Sequence, residues 1–354
     1  FIRNVRLSPG RGAVILLCLA CAQFSVNFSD YLPSSPAHVS RRLSRNLGAG
    51  RCMWEPPEPL PEDQPVFGTL IAGYPGSGKR LLYQMIEALT GGKAGDDWDL
   101  SEQGTHVVSL KTSYPHPESP WGWGDNMEQV VFILRNPRYA IPSYMAMKKE
   151  LQFSETYEQS YLRRDYVYTV RPNETEWEAW CEENFNKELL LWAEQIEFWM
   201  GNGLKHDKDG NSYQDTHCGT DIHDCRPKTI IVYEKLSDRA TGRREVAKLA
   251  SVLDGREDIP LIEQEARACV YEETIDNEQP GFRINKHRPG GETDPLGFTL
   301  SELLKIKNTF TDLLEIYDRD DLGWGDTNLN AEVIIDTLNE YMAEICAEFI
   351  NIIF

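Results

Sequence analysis

The chain has 354 residues, of which 41% are hydrophobic and 26% are charged, and a formal net charge of −20. This length and composition are those of a globular protein that can bury a full core. The acidic balance argues against broad binding to nucleic acids or to anionic membranes, because both would be repelled. We therefore expect no nucleic-acid partner. An anionic ligand would have to be held by a local cluster of cations and backbone N–H groups.

The first 22 residues have the pattern of a secretory signal. Arg3, Arg6 and Arg11 precede the apolar run Ala13–Ala22, and polar residues follow it. A basic segment with a short apolar run is typical of a signal peptide. Because a run this short spans a bilayer poorly, a type II signal anchor is the second choice. We predict that residues 1–22 are a signal peptide or a signal anchor, and the anchor would attach the protein to a membrane.

Sequons and cysteines favour the same secretory route. Asn-x-Ser/Thr triplets, the acceptor pattern for N-glycosylation, begin at Asn27 and Asn173. Outside the apolar run an even number of cysteines fits up to three disulfides: Cys52, Cys181, Cys218, Cys225, Cys269 and Cys346. Cys218 and Cys225 flank a polar loop and are the favoured pair. A zinc site formed with the two histidines beside them is the weaker alternative.

The rest of the chain predicts a linker followed by alternating strands and helices. Residues 23–65 are rich in Pro and Ser and are expected to be a stem or linker. Strand-like apolar runs then begin near Val66 and recur at His106–Leu110, Val130–Leu134 and Thr229–Tyr233. The last two runs are continuously apolar, which is typical of parallel strands buried on both faces.

Helical patterns lie between and after these runs. A tryptophan-rich segment between Trp177 and Trp199 has one apolar face, so its tryptophans are predicted to lie in the core. Further helices are predicted after Arg243, after Thr299 and from Asn330 to the end. Strands that alternate with helices predict an α/β fold, a three-layer αβα domain with a mainly parallel central sheet. This domain is expected over residues 66–320, with a C-terminal helical extension over residues 321–354.

A glycine-rich segment at Gly73–Arg80, GYPGSGKR, lies between a predicted strand and a predicted helix. Such a loop presents successive backbone N–H groups, and the helix N-terminus adds partial positive charge, so the segment favours phosphate or sulfate. The pattern G-x-x-x-x-G-K is that of a P-loop, but Arg80 stands where a Ser or Thr would hold Mg²⁺. A P-loop kinase or NTPase is therefore one interpretation, and a site that requires no metal is another.

A second cluster follows the run at 130–134. Arg135 comes at the carboxyl end of a predicted buried parallel strand, where ligands bind in open α/β sheets. Ser143, eight residues later, is expected near the start of the next helix, and the two side chains could together hold one phosphate. A P-loop NTPase would have an Asp at this strand end to hold Mg²⁺.

Together these segments resemble the sulfotransferases that use 3′-phosphoadenosine 5′-phosphosulfate (PAPS). The loop Tyr74–Arg80 is similar to the family's 5′-phosphosulfate loop, and Arg135-Asn136-Pro137 with Ser143 is similar to its 3′-phosphate segment. The Pro-Gly-Ser-Gly sequence is closest to that of the carbohydrate sulfotransferases, including those associated with WSC domains. No WSC module is visible in the chain.

The order of the remaining motifs agrees with the family over residues 66–320. Lys111-Thr112 ends one strand, Tyr-Glu-x-Leu at 233–236 is expected on another, and a basic loop follows at 285–291. In the family this last loop closes over the 3′-phosphate. The resemblance implies the following donor-binding residues: Tyr74, Pro75, Gly76, Ser77, Gly78, Lys79, Arg80, Arg135, Ser143, Lys286, Arg288 and Gly290.

Two departures from the family pattern concern catalysis. Gly76 stands where cytosolic members carry a Lys, and Ser113 stands where they carry the general-base His. A serine needs an activating partner to act as a base at neutral pH. We therefore predict that Lys111 or Lys79 stabilises the transferring sulfate. The general base is expected to be His116 or a carboxylate, and His116 is the candidate we name.

The resemblance implies transfer of a sulfuryl group from PAPS, with no metal required, to an acceptor hydroxyl or amine. A glycan or glycoprotein is the expected acceptor because the secretory features predict the Golgi lumen or membrane, or secretion. Two alternatives are a P-loop nucleotide kinase or NTPase, and a non-catalytic descendant that binds a nucleotide or glycan. Gly76 and Ser113 motivate the second alternative.

Overall fold

The computed structural model of the chain describes residues 58–59, 68–96, 107–119, 127–153, 172–207, 209–216, 218, 224–254, 256, 259, 261–262, 267, 271, 296–317 and 328–353. The predicted signal segment 1–22, nearly all of the stem 23–65 and the basic loop 285–291 lie outside these residues. Among the helices described, none is both long and apolar enough to cross a membrane.

The described elements alternate between strands and helices. The strands are β1 (Gly68–Ala72), β2 (Ala94–Asp96), β3 (Ser109–Thr112), β4 (Met127–Leu134), β5 (Leu204–His206), β6 (Ser212–Gln214) and β7 (Pro227–Val232). The helices are α1 (Lys79–Thr90), α2 (Pro137–Phe153), α3 (Glu174–Met200), α4 (Tyr233–Ser237), α5 (Gly242–Leu253), α6 (Leu300–Tyr317) and α7 (Asn328–Ile353).

The main sheet has five strands in the order β2-β3-β1-β4-β7, and every neighbouring pair of its strands is parallel. The predicted α/β class is therefore confirmed. On β4, Val131 and Ile133 belong to an apolar cluster that they share with α1 and α5. Val130 and Phe132 alternate with them, so they point to the opposite face, and they are equally buried. Both faces are covered, which is why the sequence of this strand is continuously apolar.

Helix α3 carries the predicted tryptophan face. It begins with a capping box in which Asn173 Oδ1 accepts from the backbone N–H of Glu176 at 2.9 Å, and the Glu176 carboxylate accepts from that of Asn173 at 2.8 Å. Trp177, Trp192 and Trp199 are almost completely buried. Their assignment to the core is confirmed.

Two parts of the strand prediction differ from the structure. The Tyr-Glu-x-Leu segment was expected on a strand, but β7 ends at Val232 and these residues form α4. Backbone N–H of Val232 donates to the Glu245 carboxylate of α5 at 3.1 Å, so a helix side chain takes up this donor where the strand ends. The short strand β2 has no β-branched residue to mark it and depends on its pairing with β3.

The small antiparallel pair β5–β6 is followed by a disulfide between Cys218 and Cys225, whose Cα atoms lie 5.4 Å apart. The favoured cysteine pair is therefore joined in the structure, and neither thiol is left for the zinc alternative. In the part of the chain that the structure describes, no group of three or more His, Cys, Asp or Glu side chains could hold a metal ion.

The described residues divide into two compact units. One contains the sheet and extends to residue 297, with 328–333 added. The other consists of 298–317 and 334–353, and in it the rings of Phe310 on α6 and Tyr341 on α7 lie 6.0 Å apart. The predicted helices after Thr299 and from Asn330 are present, and α6 groups with the C-terminal helix.

Candidate functional site

Three loops meet at the carboxyl edge of the sheet. The central strand β1 has β3 and β4 as its neighbours. The loops that leave these parallel strands, 73–78, 113–119 and 135–136, therefore lie side by side. This is the edge at which ligands bind in open α/β sheets.

At two positions the backbone of the glycine loop lies too close to its neighbours to leave space for a side chain. Gly76 and Gly78 have φ angles of 83° and 90°, in the left-handed region. A Cβ at Gly76 would lie 2.4 Å from the carbonyl oxygen of Ala140, and one at Gly78 would lie 2.3 Å from the ring of Tyr233. A lysine such as cytosolic sulfotransferases carry does not fit at position 76 of this backbone.

The glycine loop leads directly into the N-terminus of helix α1. Gly78 is its N-cap residue and supplies no capping group. The hydroxyl of Ser77, 1% exposed, has no hydrogen-bond partner among the described residues. Because the N-terminus of a helix carries partial positive charge, the start of α1 together with the unpartnered Ser77 hydroxyl favours an anion.

Lys79 folds back over the glycine loop. Its buried Nζ donates hydrogen bonds to the carbonyl oxygens of Gly73 at 2.7 Å and of Tyr74 at 3.0 Å. The ammonium thus stabilises the turn from within. The two carbonyls take up two of the three N–H donors of the ammonium.

Arg135 directly follows β4 and lies against the same loop. Its side chain is 5% exposed, and its Nη1 donates to the carbonyl oxygen of Gly76 at 2.6 Å. The guanidinium carbon lies 4.3 Å from the centroid of the Tyr233 ring. Its buried Nε has no partner among the described residues. The structure therefore brings Arg135 together with the glycine loop, with one donor still to be satisfied.

Ser143 lies on α2 beside the same loop and is half-buried. The Ala140 carbonyl and the Tyr144 backbone nitrogen, on the same stretch of helix, are the groups that a Cβ at Gly76 would meet. Ser143 thus lies on the predicted helix, in the same stretch as the backbone groups nearest to Gly76.

The remaining predicted donor residues are distributed as follows. Arg80 lies in the first turn of α1, and Pro75 is buried within the loop. Lys111 lies on β3, in register with Ile71 of β1. The predicted site residues Lys286, Arg288 and Gly290 lie outside the described residues.

The predicted base His116 belongs to a buried network. Its Nε2 and the Tyr74 hydroxyl both approach Oε2 of Glu188, at 3.2 Å and 2.7 Å. His116 and Glu188 are 2% and 3% exposed. The backbone N–H of Glu118 donates to His116 Nδ1 at 3.3 Å, so Nδ1 holds a lone pair and Nε2 carries the proton that Glu188 accepts. In this conformation both ring nitrogens of His116 are occupied by hydrogen bonds within the protein, so neither can take a proton from a bound substrate.

Two tyrosines connect this network to the glycine loop and α2. Burial, and then the negative charge of Glu188, raise the pKa of the Tyr74 hydroxyl well above its ordinary value. Burial likewise raises the pKa of Tyr144, whose hydroxyl donates to Oε2 of Glu118 at 2.5 Å. Burial opposes ionisation of Glu118, but hydrogen bonds from Lys148 and Tyr144 outweigh it and lower the pKa of the carboxyl. Lys148 Nζ lies 2.6 Å from Glu118 Oε1.

Glu188, Glu118 and Tyr144 were not predicted as site residues. One signal could have identified Glu188, because it is a carboxylate on the apolar face of α3, between Phe185 and Trp192. Buried carboxylates need partners. No comparable pattern indicates Glu118 or Tyr144, because their roles depend on contacts between α2 and the loop after β3.

Comparison with known proteins adds nothing to this geometry: no protein-family model matches the chain, and no curated protein matches it. The resemblance to sulfotransferases thus depends on the motifs themselves.

Proposed function

We propose that the chain is a PAPS-dependent sulfotransferase, and one observation carries the proposal. The guanidinium of Arg135, at the end of the strand beside the glycine loop, is buried against that loop with Nε unsatisfied. A buried cation with an unused donor beside the N-terminus of a helix suits a phosphate-bearing ligand. In this proposal the α/β domain is a three-layer αβα fold, and its P-loop-like segment is a phosphosulfate-binding loop.

The donor-binding roles follow from position. The amide groups at the start of α1, the Ser77 hydroxyl, Lys79 and Arg80 would hold the 5′ end of PAPS. Arg135 and Ser143 would hold its 3′-phosphate, and the loop carrying Lys286, Arg288 and Gly290 would close over it. Arg80 and Arg135 are cations at the two positions where a P-loop NTPase would have Mg²⁺ ligands, which favours a sulfate donor over Mg²⁺-ATP.

The reaction is an in-line transfer to a hydroxyl or amine of a glycan or glycoprotein. The acceptor oxygen or nitrogen forms a bond to sulfur, and the bond from sulfur to the 5′-phosphate oxygen breaks. That oxygen keeps the electron pair, leaving adenosine 3′,5′-bisphosphate, and the acceptor proton passes to a base. Lys79 or Lys111 would stabilise the charge that develops on the leaving oxygen.

His116 is the proposed base, and the geometry sets a condition on this role. Its Nδ1 accepts from the backbone N–H of Glu118, so the 116–118 turn has to open before Nδ1 can accept a proton from the acceptor. In the secretory setting expected from residues 1–22, the reaction would take place in the Golgi lumen, at its membrane or after secretion.

Calorimetric titration with adenosine 3′,5′-bisphosphate, compared with ATP and Mg²⁺, tests the proposal. We expect the bisphosphate to bind without Mg²⁺ and the Arg135→Met variant to lose this binding. Arg226→Met is the matched control, because Arg226 pairs with Asp224 on the surface. Tighter binding of Mg²⁺-ATP would favour a kinase or NTPase instead. Transfer of radiolabelled sulfate from PAPS to a panel of glycans then tests catalysis, and bisphosphate binding without transfer would favour the non-catalytic descendant.

A further inference from the structure

Asn173, the first residue of an Asn-Glu-Thr triplet, lies exposed at the N-terminus of α3. Asn173, Glu174 and Thr175 are all exposed, and Asn173 has extended backbone angles, φ −80° and ψ 172°. A glycan attached here would therefore not have to displace packed side chains. Many Asn-x-Ser/Thr triplets occur by chance, so the position in the fold has to carry the argument.

The side-chain amide of Asn173 uses only its oxygen, Oδ1, to cap the helix. Its Oδ1 accepts the hydrogen bond that caps the helix, from the backbone N–H of Glu176 at 2.9 Å. Among the described residues its Nδ2 makes no hydrogen bond, since the bonds of Asn173 use its Oδ1 and its backbone N–H. A substituent on Nδ2 would leave the carbonyl oxygen in place, so modification and helix capping are compatible.

The surrounding contacts keep this end of the helix in a defined position. The Glu176 carboxylate accepts from the backbone N–H of Asn173 and also from Nζ of Lys149 on α2. The capping box and this ion pair leave Asn173 at the end of a well-anchored helix. A glycan would be held on a rigid element at the surface.

We propose that Asn173 is an N-glycosylation site of this protein. The co-substrate is a lipid-linked oligosaccharide diphosphate. Nδ2 of Asn173 forms a bond to the anomeric carbon of the sugar and loses a proton, and the bond from that carbon to the diphosphate oxygen breaks. The diphosphate leaves with the electron pair, so no oxidant or reductant takes part.

The glycan would not obstruct the candidate donor site. Glu188, which joins the glycine loop to α3, lies fifteen residues further along the same helix. At about 1.5 Å per residue this separation is about 22 Å along the helix axis. We therefore expect the affinity for adenosine 3′,5′-bisphosphate to be the same with and without the glycan.

Glycopeptide mass spectrometry of the full chain tests this proposal. The chain is produced in insect cells behind a cleavable secretory leader, so the outcome does not depend on the proposed localisation. The peptide containing Asn173 should carry an oligosaccharide, and peptide-N-glycosidase treatment in heavy-oxygen water should convert Asn173 into labelled Asp. An unmodified Asn173 in the secreted protein would overturn the proposal.

Three variants separate glycosylation from folding. Thr175→Ala should lose the glycan, and Thr175→Ser should keep it, because only the serine preserves the acceptor pattern. Asn173→Asp should lose the glycan and keep the helix cap, since Asp and Asn cap equally well. After enzymatic deglycosylation, all three variants should have the thermal midpoint of the deglycosylated native protein within a few degrees. A glycan that persists on Asn173 in Thr175→Ala would also contradict the proposal.

Discussion

The hydroxyl of Tyr74 donates a 2.7 Å hydrogen bond to Oε2 of Glu188, although 114 residues separate them in the chain. The same oxygen lies 3.2 Å from His116 Nε2. One buried carboxylate thus joins the glycine loop, the loop after β3 and helix α3. Tyr74 of the glycine loop and the proposed base His116 both contact Glu188, so a substitution at Glu188 should affect both.

Replacing Glu188 with Ala should destabilise the fold strongly. Two buried donors, the Tyr74 hydroxyl and His116 Nε2, would lose their acceptor, and each such loss costs about 1–3 kcal/mol. We expect the free energy of unfolding to fall by about 2–5 kcal/mol in urea titrations. Glu188→Gln keeps an acceptor oxygen and should lose less than the alanine variant.

The matched control for this prediction is Glu183→Ala. Glu183 is an exposed carboxylate on the same helix, so its removal should change stability by no more than about 0.5 kcal/mol. Equal effects of the Ala substitutions at Glu183 and Glu188 would mean that the shared carboxylate does not support the fold.

Gly76 should tolerate no side chain because the surrounding backbone leaves no space for one. Gly91 is the control, since it has a similar φ angle but open space around it. Both glycines are left-handed, with φ angles of 83° and 67°, but a Cβ at Gly76 would meet the Ala140 carbonyl whereas the space around Gly91 is open. Gly91→Ala should therefore cost only the conformational strain, about 1–2 kcal/mol. Gly76→Ala should cost more and weaken bisphosphate binding at least tenfold by calorimetry. If Gly76→Ala binds the bisphosphate as tightly as the native protein does, the glycine loop is not part of the binding site.

The sequence predicted the parts of the site that depend on neighbouring residues. The order of apolar run, glycine loop and amphipathic run predicted β1, the loop and α1, and the run ending at Leu134 put Arg135 at a strand end. These features have local causes, in the φ angles that glycine allows and in burial of a parallel strand. The stacking of Arg135 on Tyr233 has no local signal, since it depends on β4 and β7 being neighbours.

The partners of His116 could not be predicted for the same reason. Ser113 at the family's general-base position pointed to His116, but the burial of His116 against Glu188 depends on how α3 packs beside the loop after β3. Gln195 Nε2 and Trp199 Nε1 of α3 also donate to carbonyl oxygens of this loop, at Ser113 and Tyr114. A tryptophan pattern predicts an apolar helix face but not the loop that its polar groups will bind.

Alkaline stability should report on Tyr74. Burial and the charge of Glu188 raise its pKa in the folded protein, so above about pH 10 the unfolded state releases a proton that the folded state keeps. Stability from this group is fully present below pH 10 and is lost as the pH rises. Urea titrations above pH 10 should show a decline for the native protein that is steeper than for Tyr74→Phe by up to about 1.4 kcal/mol per pH unit. If stability declines equally steeply with pH in the native protein and in Tyr74→Phe, ionisation of Tyr74 does not contribute to the alkaline loss of stability.

Arg135→Lys tests whether the proposed phosphate contact needs a guanidinium or only a positive charge. Lysine keeps the charge but lacks the Nε that is unpartnered in the structure and cannot both reach the Gly76 carbonyl and offer a second fixed donor. One charge-assisted hydrogen bond is worth about 1.5–3 kcal/mol, so we expect bisphosphate affinity to fall about ten- to a hundredfold. Arg226→Lys, altered in a surface pair with Asp224, should bind as the native protein does. If Arg135→Lys binds equally well, Arg135 acts on the ligand through charge alone, and the unsatisfied Nε has no part in recognition.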